Sequence, residues 1–304
     1  MIAWTLNPRR RVKLPYSSPI LSGGKLRVSI TWTPIQKQRL QELNASEVLQ
    51  EMCFESHQER DRAYQEQEHL LVIRGKQKLQ ELLETNRRPS LSVLEQQLVE
   101  ALTQEGFVQV VTPTIISKTA LAKMSVSDDH PLFSQVFWLD SKRCLRPMLA
   151  PNLYTLWRDL LRLWEKPIRI FEIGTCYRKE SKGSLHLNEF TMLNLTELGL
   201  PLDQRHQRLK ELAALVMNTV GIDDYQLESE SSVVYGDTLD VVKGIELGSS
   251  AMGPHVLDDQ WGIFDPWVGI GFGLERLLMI KEGSQNVQSM GRSLTYLNGV
   301  RLNI

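Results

Sequence analysis

Ile170-Phe-Glu-Ile-Gly-Thr-Cys-Tyr-Arg-Lys-Glu-Ser-Lys-Gly-Ser-Leu-His-Leu-Asn-Glu-Phe-Thr-Met-Leu-Asn194 reads as a strand, a polar loop and a returning strand. Branched and aromatic residues fill the first run, and glycine, serine and lysine crowd the middle, as a hairpin requires. The first strand ends in Arg178-Lys179-Glu180, the loop carries His186, and the second strand opens with Glu189-Phe190. An arginine, an acid and an aromatic around one hairpin suit a nucleotide: guanidinium for phosphate, carboxylate for a base amine, ring for a base face. The hairpin makes this chain a candidate ATP-dependent enzyme.

Two further signals flank it. Downstream, Trp267-Val-Gly-Ile-Gly-Phe-Gly-Leu-Glu-Arg-Leu-Leu-Met-Ile280 reads as a strand, a glycine-rich bend and a helix. Its glycines let backbone approach a ligand, and Arg276 falls in the first turn of the helix, where phosphate is already favoured. Upstream, Gly106-Phe-Val-Gln-Val-Val-Thr-Pro113 is a strand ending in proline, which taken alone is an edge strand stopped by Pro113. Between and around these lie a hairpin over 136–149 centred on 140–143, helices at 152–164 and 203–220, and strands at 225–230, 237–242 and 245–252. That order is not a repeated strand–helix alternation. It predicts an α+β domain, a mainly antiparallel sheet flanked by helices.

Bulk composition fits a chain of this kind. The 304 residues are 42% hydrophobic, enough for one large domain and an accessory region, and no apolar run reaches the roughly 18 residues that span a membrane. No signal-peptide core precedes it, and three widely spaced cysteines, Cys53, Cys144 and Cys176, point to a reducing cytoplasm without a zinc site. The net charge of −1 conceals an asymmetry. Residues 1–40 hold eight cations, among them Arg9, Arg10 and Arg11, and no acid, leaving 27 basic against 36 acidic residues elsewhere. A basic arm on an acidic body suits a polyanionic partner, a solvated tail being the plainer reading.

Prolines and a Gly23-Gly24 pair make residues 1–31 an irregular arm. Residues 32–89 form an accessory helical region. Thr33-Pro34 starts one helix, and Ser56 to Glu59 is a capping box opening a long charged one toward Glu84. Apolar positions there are sparse, so no core of its own is expected. A second capping box, Ser92 to Glu95, opens the main domain over 90–304.

In this order the three signals resemble motifs 1, 2 and 3 of the class II aminoacyl-tRNA synthetases. Longer stretches, Leu145-Arg-Pro-Met-Leu-Ala-Pro-Asn-Leu-Tyr154, the 171–194 hairpin, Val234-Tyr-Gly-Asp-Thr-Leu-Asp-Val241 and 266–280, resemble the catalytic domain of the pyrrolysyl-tRNA synthetase family. The likeness runs over residues 105–304 and, more loosely, through 33–86. It resembles the split bacterial form, in which a small tRNA-binding domain is a separate protein.

The resemblance implies the class II catalytic fold, dimeric through motif 1, and an ATP-dependent ligation of pyrrolysine to its cognate tRNA through an aminoacyl-adenylate. It implies ATP and Mg²⁺, with the tRNA, a second copy of the chain and a small tRNA-binding protein as partners. Arg178 matches the arginine at the α-phosphate and Arg276 that at the γ-phosphate, helped by His186. Phe190 matches the ring under adenine, Glu180 sits near its amine, and Glu246 and Ser249 match Mg²⁺ ligands. The amino-acid pocket would be lined by Met148, Ala150, Leu153, Tyr154, Trp157, Met192, Thr196, Tyr235, Trp267 and Gly269, with Asn194 on the substrate's side-chain amide carbonyl. Without the resemblance, Leu153, Met192 and Trp267 read as plain core. Trp157 stands where archaeal members have leucine and Thr196 where they have cysteine, and Gly244-Ile-Glu-Leu is one residue shorter than the family's pattern. A class II-like ligase with another acceptor and a tRNA-binding pseudo-synthetase are the alternatives; the second would lack a phosphate arginine, yet Arg178 and Arg276 are both present.

Overall fold

The protein is seen in a computed structural model that describes residues 29–179, 186–232 and 236–304. At its N-terminal end, β1 (Ile30–Thr31) is followed by α1 (Pro34–Glu42), α2 (Glu47–Gln50), β2 (Cys53–Phe54) and the 25-residue α3 (His57–Glu81). Thr33 caps α1 through a reciprocal pair with Gln36. Ser56 caps α3 by accepting from the Glu59 amide, while the Glu59 carboxylate turns to the Glu55 amide. Two expectations need correcting. Residues 30 and 31 belong to a strand paired with β2, and this region has a small core of its own. Trp32 organises it, packing edge-on against Phe54 and donating its indole N–H to the Leu49 carbonyl at 2.7 Å, with Leu40, Ala45 and Leu71 around it. A few large side chains suffice because the region also leans on the C-terminal segment: Glu42 pairs with Arg301 at 2.9 Å, and Lys78 pairs at 2.5 Å with Glu282, just past the Leu274–Lys281 helix.

A π-helical turn at Leu82–Asn86 leads into α4 (Ser90–Gln104). The expected start at Ser92 is two residues late. Pro89 is the N-cap, and the Ser90 amide is satisfied by Asn298 Oδ1 at 2.7 Å, so a distant side chain supplies the cap. Gly106, at φ 87°, ends the helix, and β3 (Val108–Gln109) follows. Then come β4 (Ile115–Ser117), α5 (Lys118–Ala122), α6 (Pro131–Ser134) and β5 (Arg143–Leu145). The expected 136–149 hairpin is reduced to a single bridge, Trp138 to Cys144; β5 pairs instead with β4. The Arg146 backbone leaves that ladder as well, its amide donating to the Thr114 carbonyl at 2.9 Å and its carbonyl accepting from the Tyr177 amide at 3.0 Å.

The frame of the domain is a seven-stranded sheet. After α7 (Ala150–Leu160) come β6 (Ile168–Tyr177) and β7 (Glu189–Leu198), then α8 (Arg205–Val220), stopped by left-handed Gly221. β8 (Gln226–Ser232), β9 (Gly236–Lys243), β10 (Ile245–Gly253) and β11 (Trp267–Gly273) follow, then α9 (Leu274–Lys281) and the small hairpin β12 (Tyr296–Leu297) and β13 (Val300–Arg301). The order across the sheet is β3-β6-β7-β11-β10-β9-β8. Edge strand β3 pairs parallel with β6; every other pairing is antiparallel.

Both faces of this sheet are covered, so its central strands alternate between two cores rather than between core and water. On β7 and β11, Met192 and Trp267 enter the core built with α7, whereas Leu193, Leu195, Val268 and Phe272 enter the one built with α4, α8 and α9. The functional candidates lie on the α7 side.

Candidate active site

The sheet register assembles the site. Reading across five strands, Glu172 of β6 stands beside Asn194 of β7, then Gly271 of β11, Ser249 of β10 and Asp240 of β9. One step along, Thr196 pairs with Gly269, and one step the other way Met192 pairs with Gly273. Cross-strand partners share a face, so Met192, Asn194, Thr196, Gly269 and Ser249 form one surface. On β11 the side-chain period puts Gly269, Gly271 and Gly273 on this face and Val268, Ile270 and Phe272 on the other. The expected glycine-rich bend is therefore a regular strand with one bare face. A Cβ added at Gly273 would meet nothing within 4 Å. Gly253 is the opposite case: a Cβ there would overlap the Trp267 indole, so only glycine lets that ring lie flat against β10.

Arg178 closes one end of this surface. It is 3% exposed, its Nε donates to the Pro147 carbonyl at 2.9 Å, and its guanidinium lies over the Phe190 ring, 5.4 Å from the centroid. The loop that receives it is locked by Arg146, buried against β6. Arg146 Nη1 donates to Glu172 Oε1 at 2.8 Å and to Thr112 Oγ1 at 3.0 Å, and its Nε donates to the Thr175 carbonyl at 2.8 Å. Glu172 is in turn held by the Thr112 amide and hydroxyl. This joins the Thr112-Pro113 segment to the hairpin; the strand expected to run up to Pro113 ends at Gln109. The Arg146–Glu172 pair escaped the sequence reading, although an acid inside Ile170-Phe-Glu-Ile173 was the available signal of a paired buried charge.

Arg276 is the third residue of α9 and donates to the Glu246 carbonyl at 3.1 Å. It therefore sits against the bulge between Glu246 and Gly248, on a residue three before Ser249 in the same strand. Ser249, buried, donates to Asp240 Oδ1, which makes Asp240 an oxygen donor the sequence reading passed over. Glu246, Ser249 and Asp240 are hard oxygen groups, the donor set Mg²⁺ prefers when phosphates complete its shell. No group of three or more His, Cys, Asp or Glu suited to a metal occurs among the described residues.

Behind Phe190, Glu275 is buried and accepts from the Thr191 amide with both oxygens, at 2.8 and 3.0 Å. Burial pushes its carboxyl up to about 7, against the hydrogen bonds and the nearby Arg292 that favour the charge. Arg292 Nη1 also donates to Thr191 Oγ1 at 3.0 Å.

At the other end of the surface stands an aromatic box. Tyr154 and Trp157, three apart on α7, meet Trp267 edge-on and tilted, with centroids 6.0 and 5.4 Å away, and Trp261 stacks on Tyr154 at 5.3 Å. Met148, Ala150, Leu153 and Met192 belong to the same buried cluster. Asn194, 2% exposed, has its Oδ1 buried without a hydrogen-bond partner among the described residues. A buried polar atom in that state calls for a partner from outside these residues, a water or a bound ligand. His186 is half-buried at the far edge of the hairpin. Glu180 and Tyr235 lie outside the described residues.

A family model for the tRNA synthetases class II core domain (F) matches residues 77–299, most of the chain. A crystal structure of pyrrolysyl-tRNA synthetase from Desulfitobacterium hafniense is 68% identical, with a TM-score of 0.86, covering 90% of this chain and 99% of that one. A second, of PylSc from the same organism, is 65% identical at the same TM-score and covers 94% and 100%. The chain belongs to the class II tRNA synthetases, in the pyrrolysyl-tRNA synthetase family. Its resemblance to other class II tRNA synthetases is more local. The threonine--tRNA ligase of Wolbachia pipientis is 33% identical over 100 residues, and that of Ehrlichia ruminantium (strain Welgevonden) 30% over 99. The chain's match spans about a sixth of the length of these curated relatives, 16% and 15%. The class II match begins inside α3, so the family's core model reaches into the region that the sequence reading set apart as accessory. No helix among the described residues is long and apolar enough to cross a membrane.

Proposed function

We propose that this class II synthetase joins pyrrolysine to its cognate tRNA in two steps at the surface between Arg178 and the aromatic box. In the first, an oxygen of the amino-acid carboxylate attacks the α-phosphorus of ATP, the bond to the β-phosphate breaks, and pyrophosphate leaves. In the second, a ribose hydroxyl of the tRNA attacks the acyl carbon, AMP leaves, and the hydroxyl proton is released. The transition state of the first step gathers charge on phosphate oxygens, so pre-placed cations speed it. Arg178, fixed by Pro147 and Phe190, serves the α-phosphate; Arg276, against the β10 bulge, serves the γ-phosphate with His186. Phe190 takes the adenine face and Glu180 its amine. Glu246 and Ser249, with Asp240 behind, would hold Mg²⁺, which when bound supplies further positive charge to the phosphates.

The carrying observation is the continuity of one face: Arg178 and Phe190, then Met192, Asn194 and Thr196 on the same returning strand, beside the bare face of β11. It brings a phosphate arginine, a lone polar probe and an apolar box into one line, as a long side chain with one internal amide requires. Tyr235 is assigned to the ring end of that side chain. The identity to two pyrrolysyl-tRNA synthetase structures supports the choice of amino acid.

The same reading divides the chain into a basic arm (1–31), an accessory tRNA-binding region (32–89) and a catalytic domain (90–304), working in the cytoplasm. It pairs two copies through the motif 1 segment, where Val108, Val111 and Ile115 are exposed apolar side chains. A separate small tRNA-binding protein completes tRNA capture. The test is ATP–pyrophosphate exchange with pyrrolysine, followed by aminoacylation of the cognate tRNA with and without that small protein. Exchange driven by pyrrolysine is expected; tRNA binding without any exchange would overturn the reading in favour of a pseudo-synthetase.

A further inference from the structure

Asp258 lies behind the aromatic box and is 1% exposed. Its Oδ1 accepts from Tyr154 Oη at 2.6 Å, and its Oδ2 accepts from Trp267 Nε1 at 2.7 Å and from the His255 amide at 2.6 Å. Its own backbone is pinned as well: the amide donates to the His255 carbonyl at 2.9 Å, and the carbonyl accepts from Ile263 at 3.0 Å. A carboxylate so placed has nowhere to move. Tyr154 and Trp267 each carry one polar atom that needs a partner when buried. Both find it on this single group.

We propose that Asp258 is a positioning residue that sets amino-acid selectivity, by drawing the polar ends of Tyr154 and Trp267 to the rear of the box. The inference rests on the functional reading above. The two rings then present carbon to the substrate, and their orientation is fixed in advance of binding. Trp261, stacked on Tyr154 with a 14° tilt, holds the same ring from the side and comes from the same Asp258–Trp261 turn. An amide at this position cannot reproduce the arrangement. It has one accepting oxygen, and the indole and the His255 amide can only donate, so its NH₂ must face Tyr154. The phenol would then accept instead of donate, and its own proton would turn toward the substrate side.

The experiment is ATP–pyrophosphate exchange on the full chain, varying pyrrolysine and ATP separately, for the parent, Asp258→Asn, Tyr154→Phe and the double variant. Asp258→Asn is expected to raise KM for pyrrolysine about tenfold and to leave KM for ATP within about twofold, the split that a positioning role produces and general misfolding does not. The double variant should lose less than the product of the two single losses, because both act through one hydrogen bond. If Asp258→Asn does not fold, Tyr154→Phe alone still decides, since it removes the same hydrogen bond: an unchanged pyrrolysine KM overturns the proposal. Multiplicative losses, or equal rises in both KM values, also overturn it. A parent enzyme that fails to exchange with pyrrolysine defeats the functional reading itself, whereas an active parent matched by Asp258→Asn defeats the role of Asp258 alone.

Discussion

Arg178 lies over the ring of Phe190, its guanidinium carbon 5.4 Å from the centroid, with Nε committed to the Pro147 carbonyl. The residue proposed for the phosphate and the residue proposed for the base are thus a single stacked unit spanning both sides of one hairpin. Arg178→Lys keeps the charge but not the planar fork that makes the stack and the Pro147 bond together. Adenylate formation should fall by about 10²-fold or more, the cost of removing one pre-placed charge-stabilising donor, while the far-ultraviolet spectrum stays that of the parent. Pyrophosphate exchange measures it. Parent-like exchange would refute the assignment.

Asn194 offers an unpartnered Oδ1 within the buried surface, beside a terminal NH₂ that can donate. Asn194→Ala should weaken use of pyrrolysine by about tenfold more than use of a purely apolar lysine derivative, because only the first loses an amide partner. Steady-state exchange with the two amino acids gives the comparison. An equal loss on both would remove Asn194 from the selectivity determinants.

Glu172 and Arg146 form a buried pair, 1% and 3% exposed at their side chains. Removing one member leaves the other charge without its partner, which costs about 3–5 kcal/mol in such pairs. Glu172→Ala should lower the denaturation midpoint accordingly, and it should also raise KM for ATP, because the loop that receives Arg178 hangs on Arg146. A variant of parent stability would show that the pair is not what holds that loop.

Glu275 carries a carboxyl raised from 4.5 to about 7 by burial. Its folded-state value lies above its unfolded one, so the folded protein binds the proton more tightly. The stability contributed by that proton is present in full below about pH 4.5 and is lost as pH rises to 7, by an amount on the order of 3 kcal/mol. Glu275→Gln should flatten this part of the stability profile. Melting temperatures of both proteins between pH 5 and 8 test it, and parallel curves would show that Glu275 titrates normally.

Much of the domain was legible because its signals are local. The strand–loop–strand at 170–194 and the strand–helix at 267–280 announce themselves by composition, and so do Thr33-Pro34 and Gly221 at helix ends. What was missed depends on partners far along the chain. α4 starts at Ser90 because Asn298 caps it, and no pattern near residue 90 contains that fact. The 136–149 hairpin is cut short because the backbone of this strand pairs elsewhere: β5 pairs with β4, the Arg146 amide donates to the Thr114 carbonyl at 2.9 Å, and the Arg146 carbonyl accepts from the Tyr177 amide at 3.0 Å. The core around Trp32 looked absent because few apolar residues build it, and part of its support comes from Glu42 and Lys78 reaching the C-terminal segment. In the site, residues of β7 and β11 could be placed by alternation, but Asp240 and Asp258 matter only through strand register and through a turn packed behind the box. Neither has a signature in sequence spacing.

The bare face of β11 has a thermodynamic corollary. Where Gly269, Gly271 and Gly273 run through the middle of the sheet, the protein contributes backbone alone to that face of β11. On the proposed function, an adenylate bound against that strand would stand in for the missing layer, and the reaction intermediate would act as interior as well as cargo. A synthetase built this way should be most cohesive midway through its own cycle, and it should loosen as the acyl group departs on the tRNA.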